Sequence, residues 1–246
     1  MIATDPNHPL HPANIDREWR RLLDNPVGLQ RPLVVFSGWR APWWAAWNTA
    51  ERLRRLTGGA RDMVLPVPFT FHNSVDAMVR TAIDRVAEAW PTDGRTTVEV
   101  DVVGVSMGGL IARAAAAPAA ARHHGRRLAI ANLFTVSTPH RGAKLARYIA
   151  PDTPAREMRT GSAWLARLDE ALPCCEYNLV CYTLLNDLWV GARNTAPEGH
   201  CPIWFPGRLF GNHILVTLDR RIFIDIARRL RGEPPAARPN GPPPHD

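Results

Sequence analysis

A chain of 246 residues with 46% hydrophobic residues can bury a sizeable core and commonly forms a single α/β domain. Its formal net charge of +7 comes almost entirely from arginines, which are spread over short helical pieces such as ERLRR and ARRLRG and argue against a nucleic-acid partner. No run approaches the roughly 18 apolar residues of a membrane span, and the four cysteines form no spaced C-x-x-C pair, so we expect no transmembrane segment and no metal site.

The first segment, residues 1–31, is an N-terminal arm punctuated by proline and asparagine. It lacks the basic start and the apolar stretch that characterise a secretion signal. A cytoplasmic location is therefore the expectation from the sequence.

Strand and helix patterns alternate after the arm. The short β-branched run PLVVFSG is typical of a buried parallel strand, and APWWAAWNTAERLRRL has helical character up to Gly58 and Gly59. DMVLPVPF predicts a weaker strand because Pro66 and Pro68 each remove a hydrogen-bond donor. SVDAMVRTAIDRVAEAW predicts a helix with Ser74 as its N-cap.

The second half continues this alternation with one interruption. VEVDVVGV and LAIANLFTVSTP predict two strands with the helix LIARAAAA between them. Residues 141–173 mix proline, glycine and short helical pieces, which predicts a lid-like insertion over a site. YNLVCYTLLND and CPIWFPGRLF predict two more strands, and HILVTLDRRIFIDIARRL predicts a closing helix. The tail, residues 232–246, is too rich in proline to bury a core and is predicted to be disordered.

The alternation of strand and helix patterns predicts one α/β domain over residues 32–231, with a mostly parallel sheet and helices on both of its faces. Functional sites in such sheets form at the carboxyl ends of the strands. The motif GVSMGG, residues 104–109, lies at that edge, where the run VEVDVV gives way to LIARAAAA.

Ser106, in the middle of this motif, is a candidate nucleophile. A sharp turn from strand to helix strains the backbone, and Gly104 and Gly108 lack the Cβ atoms that would collide there. The serine hydroxyl then points away from the sheet, and the first N–H groups of the helix, starting with Met107, face a developing oxyanion. A purely structural turn is the alternative, but the position directly after a strand favours the nucleophile.

A serine hydroxyl needs a base and an acid to support it. Of the nine histidines, His213 follows every predicted strand, at the start of the last helix, which matches the chain order serine, acid, histidine. Asp187 ends the strand YNLVCYTLLND and lies between Ser106 and His213 in sequence. A polar helix start is the alternative for His213 and a helix cap for Asp187, and the other candidate acids are Asp152, Asp169, Asp219 and Asp225.

Six segments in order resemble the lipases and esterases of the α/β-hydrolase superfamily, namely LVVFSGW, GVSMGGLIAR, LFTVSTPHRGAKLA, MRTGSAWLARLDEAL, NDLWV and GNHILV. The resemblance covers roughly residues 32–231, and STPHRG is similar to the segment before the lid of bacterial lipases and of lipase-like enzymes that deacylate lipid anchors. Such lipases usually carry His-Gly after the first strand, where this chain has Ser37 and Gly38. The resemblance implies an oxyanion hole made by the backbone N–H groups of Trp39 and Met107.

Apolar residues near these segments are candidates for a substrate pocket. Trp43 and Trp44 are adjacent in a helix and cannot share one face, so at least one of them is free to line an acyl pocket. Trp47 is predicted to pack the helix on the sheet. Leu165 and Leu168, three residues apart in the insertion, can line one helix face toward the substrate.

These patterns predict a serine hydrolase that cleaves carboxylic esters, of small molecules or lipids, through Ser106, His213 and Asp187 and an acyl-enzyme intermediate, without a cofactor. A lipid substrate is compatible with peripheral contact with a membrane. Two other interpretations stay open. One is a noncatalytic hydrolase-like scaffold that binds a ligand or partner, and the other is an amidase, thioesterase or acyltransferase, because pocket shape rather than fold selects the substrate.

Overall fold

Six strands form a single sheet in the structure, a computed structural model that describes residues 8–246. The strands are β1 (Leu33–Phe36), β2 (Val64–Val67), β3 (Thr96–Val105), β4 (Arg127–Val136), β5 (Asn178–Leu184) and β6 (Ile203–Phe205). They pair in the order β2-β1-β3-β4-β5-β6, and every pairing is parallel, where the sequence predicted a mostly parallel sheet. Pro66 is tolerated because β2 lies at the edge of the sheet.

Helices cover both faces of this sheet. One face carries α1 (Ile15–Asp24), α2 (Trp43–Thr57) and α9 (Arg220–Leu230). The opposite face carries α3 (Val75–Ala89), α4 (Met107–Ala116), α5 (Pro118–His124), α6 (Thr153–Glu157) and α7 (Ala163–Ala171). A short helix, α8 (Asn212–Leu215), follows β6.

The strand β1 shows how the two cores form. Its four residues are all buried, with Val34 and Phe36 in the cluster under α3 and α4, and Leu33 and Val35 in the cluster under α1, α2 and α9. Successive strand residues point to opposite faces, so a strand covered on both sides must be apolar throughout. Burial of each such side chain contributes about 1.5–3 kcal/mol.

Two predicted helix boundaries are confirmed by their capping geometry. The Ser74 side chain accepts a hydrogen bond from the Ala77 N–H at 3.1 Å and caps α3. The helix α2 ends at Gly58, whose φ of 74° suits glycine. The predicted closing helix differs, because Asp219 adopts an extended ψ of 111° and caps α9 through the Arg221 N–H, which divides the segment into α8 and α9.

The N-terminal arm contributes a helix that the sequence analysis did not predict. Its first seven residues lie outside the described residues, and α1 then packs against α2 and α9 with Leu22 buried. Glu18 accepts hydrogen bonds from Arg21 on the same helix and from Arg228 on α9. The arm is therefore anchored to the helical layer.

The tail differs from the prediction of disorder. Ala236 is buried, and the Ala237 N–H donates to the Asp225 carboxylate at 2.7 Å. The Trp204 indole donates to the Gly241 carbonyl at 3.2 Å, and Asp246 pairs with Lys144 at 2.5 Å. The tail supplies few apolar groups of its own, but polar side chains of the α/β domain bind its backbone. Amino-acid composition alone does not reveal such partners.

Candidate active site

The turn between β3 and α4 holds Ser106 in a strained conformation. Its φ of 52° and ψ of −125° lie in a region that residues other than glycine rarely adopt, and such strain persists only where the surroundings enforce it. The Ser106 N–H donates to the Val136 carbonyl at 2.8 Å, and the Thr138 hydroxyl donates to the Ser106 carbonyl at 2.8 Å. These two bonds fix the turn to the end of β4.

Two glycines make this turn sterically feasible. A Cβ atom at Gly104 would lie 2.5 Å from the Gly109 Cα, and one at Gly108 would lie 2.6 Å from the carbonyl oxygens of Phe36 and Ser37. Both separations are too short for real contacts, so any larger residue would displace backbone. The GVSMGG motif is thus required by the close approach of α4 to β1 and β3.

His213 reaches the serine from α8. Its Nε2 lies 3.1 Å from Ser106 Oγ, and its Nδ1 lies 3.0 Å from Asp187 Oδ2. The preceding residue, Asn212, is buried and donates from its amide to the Leu185 carbonyl at 2.9 Å. This bond ties α8 to the end of β5 and holds the imidazole between the two partners.

Asp187 follows β5 and is 0% exposed. Its Oδ1 accepts the backbone N–H groups of Trp189 and Val190, each at 3.1 Å, which leaves Oδ2 for His213. Burial acts to raise the pKa of this carboxyl, but the hydrogen bond and charge of His213, together with the Val190 N–H, outweigh it and hold the pKa below its usual range. The carboxylate is therefore ionised at neutral pH.

The alternative acids are occupied elsewhere. Asp152 accepts from the indole of Trp39 at 3.1 Å and pairs with Arg40, and Asp169 pairs with Arg113 at 2.8 Å. Asp219 caps α9 and Asp225 accepts from Tyr182 and Arg229. Among residues 8–246, Asp187 is the carboxylate that pairs with His213.

A cavity of about 360 Å³ opens beside the Ser106 hydroxyl. Its wall is mostly apolar and is formed by residues after β1, along α2 and around α8, including Trp39, Trp44, Ala46, Val105, Trp189, Ile214 and Thr217. The Trp189 ring stacks on the His213 imidazole with ring centres 5.1 Å apart and planes 24° apart. The cavity therefore presents a mostly apolar surface beside the Ser106 hydroxyl.

Trp39 and Met107 are the residues whose backbone N–H groups are predicted to form an oxyanion hole. Trp39 lines the cavity, and Met107 is the first residue of α4, directly after Ser106. Within residues 8–246, neither N–H has a hydrogen-bond acceptor in the protein. The assignment of these two N–H groups to an oxyanion hole stays a prediction.

The predicted tryptophans divide between cavity and surface. Trp44 lines the cavity, whereas Trp43 is 59% exposed and does not, so the pocket assignment of Trp43 is corrected. Trp47 is 54% exposed instead of packing α2 on the sheet, because Ala46, Ala50 and Leu53 form the buried face of that helix. The small alanines are buried, and the indoles of Trp43 and Trp47 are exposed.

Leu165 and Leu168 do not line the cavity, which corrects the predicted substrate role. Both are buried on α7 in the cluster that contains α3 and α4, on the face of the sheet away from α2. No residue of the segment 141–173 lines the active-site cavity within the described chain. The helical spacing of the leucines correctly indicated one shared face, but that face packs against the core.

The histidine of the STPHRG segment braces the structure. His140 is fully buried, its Nδ1 accepts from the Arg113 guanidinium at 3.0 Å, and its Nε2–H donates to the Thr135 hydroxyl at 3.1 Å. Burial, followed by the charge of Arg113, lowers the pKa of His140 well below its usual value. The neutral ring joins β4 to α4 and lies apart from Ser106.

The cavity also contains three residues that the sequence did not indicate, namely Trp189, Ile214 and Thr217. Thr217 follows His213 by four residues, which places both on one side of a helical segment, and this spacing could have identified it. Trp189 lies two residues after Asp187 in the NDLWV segment. Within residues 8–246, no cluster of three or more His, Cys, Asp or Glu side chains is arranged to hold a metal ion.

One protein-family model matches part of the chain. The family described as PGAP1-like alpha/beta domain matches residues 57–150. No curated protein sequence matches the chain.

Several solved structures are similar to this chain at low sequence identity. The propeptide form of the lipase BlEst2 from Bacillus licheniformis is 14% identical, with 82% of this chain and 51% of that chain covered, at a TM-score of 0.55. Phospholipase PlaB from Legionella pneumophila is 12% identical, with 63% and 39% covered, at a TM-score of 0.48. A hyperthermophilic esterase from the archaeon Pyrobaculum calidifontis is 14% identical, with 85% and 76% covered, at a TM-score of 0.44.

The likeness to BlEst2 shows that the chain has the α/β-hydrolase fold, which confirms the expectation drawn from the six sequence segments. The chain spans about half of the length of that lipase form. At 14% identity the likeness concerns the fold, and it leaves the substrate of this chain to be argued from the site.

Proposed function

We propose that this chain, which has the α/β-hydrolase fold, is a serine hydrolase that cleaves carboxylic esters. The observation that carries the proposal is the connected array in which Asp187 Oδ2 lies 3.0 Å from His213 Nδ1 and His213 Nε2 lies 3.1 Å from Ser106 Oγ. The strained backbone of Ser106 adds support, because strain of this kind concentrates at functional sites.

The proposed reaction begins when Ser106 Oγ attacks the ester carbonyl carbon while His213 Nε2 accepts the hydroxyl proton. The carbonyl π electrons move to the oxygen, and the N–H groups of Trp39 and Met107 stabilise this oxyanion. The intermediate then collapses, the bond to the alcohol oxygen breaks, and His213 returns the proton to the departing alcohol. Water attacks the acyl-serine by the same steps and releases the carboxylic acid and free Ser106.

Asp187 supports this cycle electrostatically. Its low pKa keeps it ionised, so it retains the proton on His213 Nδ1 and stabilises the imidazolium that forms in the transition state. Because the carboxylate is 0% exposed, water screens this interaction little. Trp189, stacked on the imidazole, excludes water from one side of the ring.

The apolar wall of the cavity favours an ester with an apolar group, of a small molecule or a lipid. Several apolar side chains after the carboxyl ends of the strands are exposed, among them Trp43, Trp47, Phe71, Ile149 and Phe210. These side chains suit peripheral contact with a lipid surface. In the described part of the chain, no helix has the length and apolar character needed to cross a membrane.

Turnover of p-nitrophenyl esters with acyl chains of two to sixteen carbons tests the proposal. Ser106→Ala should abolish nearly all hydrolysis in a folded protein. The matched control is Ser162→Ala, which removes the serine that caps α7. This variant should retain turnover because α7 lies on the face of the sheet away from α2 and the active-site cavity. Equal activity of wild type and Ser106→Ala would contradict the proposal.

The same acyl group attached through an ester, a thioester and an anilide separates the alternative hydrolases. We expect the ester to have the highest kcat/KM. A strong preference for the anilide would instead support an amidase. No turnover of any substrate, and no covalent labelling of Ser106, would favour the binding scaffold.

A further inference from the structure

A groove lies beside the active-site cavity, along α2. It has a volume of about 370 Å³ and lies between α1, α2 and the segment after α8. The groove and the active-site cavity share four lining residues, Trp44, Ala45, Thr49 and Thr217. The groove therefore borders the active-site cavity, and Trp44 lies on their common boundary.

The shared wall leads to Arg52. Ala45, Thr49 and Arg52 are spaced i, i+4 and i+7, which places all three on one face of α2. At 1.5 Å per residue, Arg52 lies about 10 Å along the helix from Ala45. Trp19 and Leu23 of α1 form the opposite side of the groove.

The positive charge of Arg52 lacks a counterion. Its guanidinium donates to the Thr217 carbonyl and lies 4.8 Å from the centre of the Phe223 ring. Among residues 8–246, no carboxylate lies within hydrogen-bonding or ion-pair distance of Arg52, so most of its five donors remain free. Burial, and then repulsion by Arg220, lowers the pKa of Arg52 below its usual value.

The other charges around the groove are largely neutralised. Glu51 accepts from both Arg54 and Arg55, and Arg220 pairs with Asp16. Arg52 is left as the partly buried cation that faces the groove. A partly buried, unpaired guanidinium is costly and gains free energy when an anion binds to it.

We propose that the groove is a subsite for an anionic group of the ester substrate, a carboxylate or a phosphate held by the Arg52 guanidinium. The inference rests on the proposed esterase function, because the anion is part of the ester cleaved at Ser106. The apolar side chains of Trp44 and Leu23 contact the chain that links the ester to the anion. The enzyme then selects anionic amphiphiles over neutral esters of the same length.

Pairs of esters that differ in one charge test this subsite. The first pair is the p-nitrophenyl ester of a straight-chain monocarboxylic acid and the p-nitrophenyl monoester of the dicarboxylic acid of equal length, from six to twelve carbons. The second pair carries the charge on the alcohol, as octanoyl esters of alkanols and of ω-hydroxyalkyl phosphates. We expect the wild type to prefer the anionic member in one of the two series, which also tells on which side of the ester the anion lies.

The ratio of kcat/KM for the anionic ester to kcat/KM for its neutral partner is the readout. Arg52→Met should lower this ratio about 10–100-fold, the range expected for a lost charge-assisted hydrogen bond, and Arg52→Lys should lower it less. Added salt should lower the wild-type ratio because the interaction is electrostatic. The matched control, Arg85→Met on α3, removes an exposed arginine that pairs weakly with Glu88 and should leave the ratio unchanged.

A binding measurement keeps the test independent of turnover. Calorimetry with Ser106→Ala should detect tighter binding of octyl phosphate than of octanol, and adding Arg52→Met should weaken octyl phosphate about 10–100-fold. Turnover of neutral esters without an anionic preference in either series would overturn the subsite and leave the esterase proposal intact. Absent turnover of every ester would contradict the esterase itself. Octyl phosphate bound no more tightly than octanol would overturn the subsite even then.

Discussion

Replacement of Asp187 by asparagine should uncouple the base from the serine while it preserves the shape of the site. In the wild type, Oδ1 accepts two backbone N–H groups and Oδ2 lies 3.0 Å from His213 Nδ1. Asparagine has one carboxamide oxygen, and the two N–H donors of Trp189 and Val190 require it at the Oδ1 position. The NH₂ group is then directed at His213 Nδ1.

This arrangement reverses the tautomer of the imidazole. Nδ1 must accept from the amide, so the proton moves to Nε2, which lies 3.1 Å from Ser106 Oγ and can no longer accept the hydroxyl proton. The corresponding change in a serine protease lowers turnover by about 10⁴, which equals about 5.4 kcal/mol in activation free energy. We expect a loss of the same order for Asp187→Asn.

Steady-state hydrolysis of p-nitrophenyl butyrate measures this loss, with circular dichroism to verify folding. Asp152→Asn and Asp219→Asn are the matched controls, since their carboxylates bind Arg40 and Arg221 and not His213. Both controls should stay within about tenfold of the wild type. An Asp187→Asn enzyme that loses less than about tenfold, or about 1.4 kcal/mol, would refute the role of Asp187.

The same variant tests the lowered pKa of Asp187. A carboxyl whose folded pKa is lowered stabilises the fold above its unfolded pKa of about 3.9 and loses that contribution as the pH falls through the folded value. The free energy of unfolding of the wild type, minus that of Asp187→Asn, should therefore decrease as the pH is lowered from about 5 to about 3. An increase over this range would contradict the assigned direction.

Three further changes follow from the packing of the molecule. Trp189→Ala removes the ring stacked on His213 but keeps the backbone N–H that binds Asp187, so kcat should fall about tenfold and Trp189→Phe should restore most of it. Leu168→Ala should cost about 2–5 kcal/mol in unfolding free energy without changing acyl-chain preference, and a selective loss on long-chain esters would return Leu168 to the substrate pocket. Truncation after Arg231 removes the hydrogen bonds of Ala237 and Gly241 and the ion pair of Asp246, and should lower Tm by roughly 4–8 °C, whereas an unchanged Tm would support a disordered tail.

The sheet and the serine turn were predictable because local chemistry determines them. The β-branched runs are buried on both faces, and Gly104 and Gly108 are dictated by contacts of 2.5–2.6 Å that a Cβ atom would make with backbone. The position of Asp187 followed from chain order at the carboxyl edge of the parallel strands. His213 was predicted by the same rule, but it lies in the separate short helix α8 and not at the start of one continuous closing helix.

Helix orientation was less predictable, because helical spacing identifies a shared face without identifying what covers it. Leu165 and Leu168 share a face as expected, but α4 covers it, where Arg113 bonds to the Leu168 carbonyl and to Asp169. In α2 the alanines, and not Trp47, meet the sheet. The end of the tail is bound by Trp204 and Lys144, which are distant in sequence, and amino-acid composition does not reveal such partners.

Covalent labelling shows directly whether Ser106 is a reactive nucleophile. The intact protein is treated with a fluorophosphonate, digested, and analysed by mass spectrometry, with His213→Ala treated in parallel. We expect one phosphonate adduct per chain, located on Ser106, and slow labelling of His213→Ala because Ser106 Oγ then lacks its base. An unlabelled Ser106 in the folded wild type, or equally fast labelling without His213, would contradict this expectation.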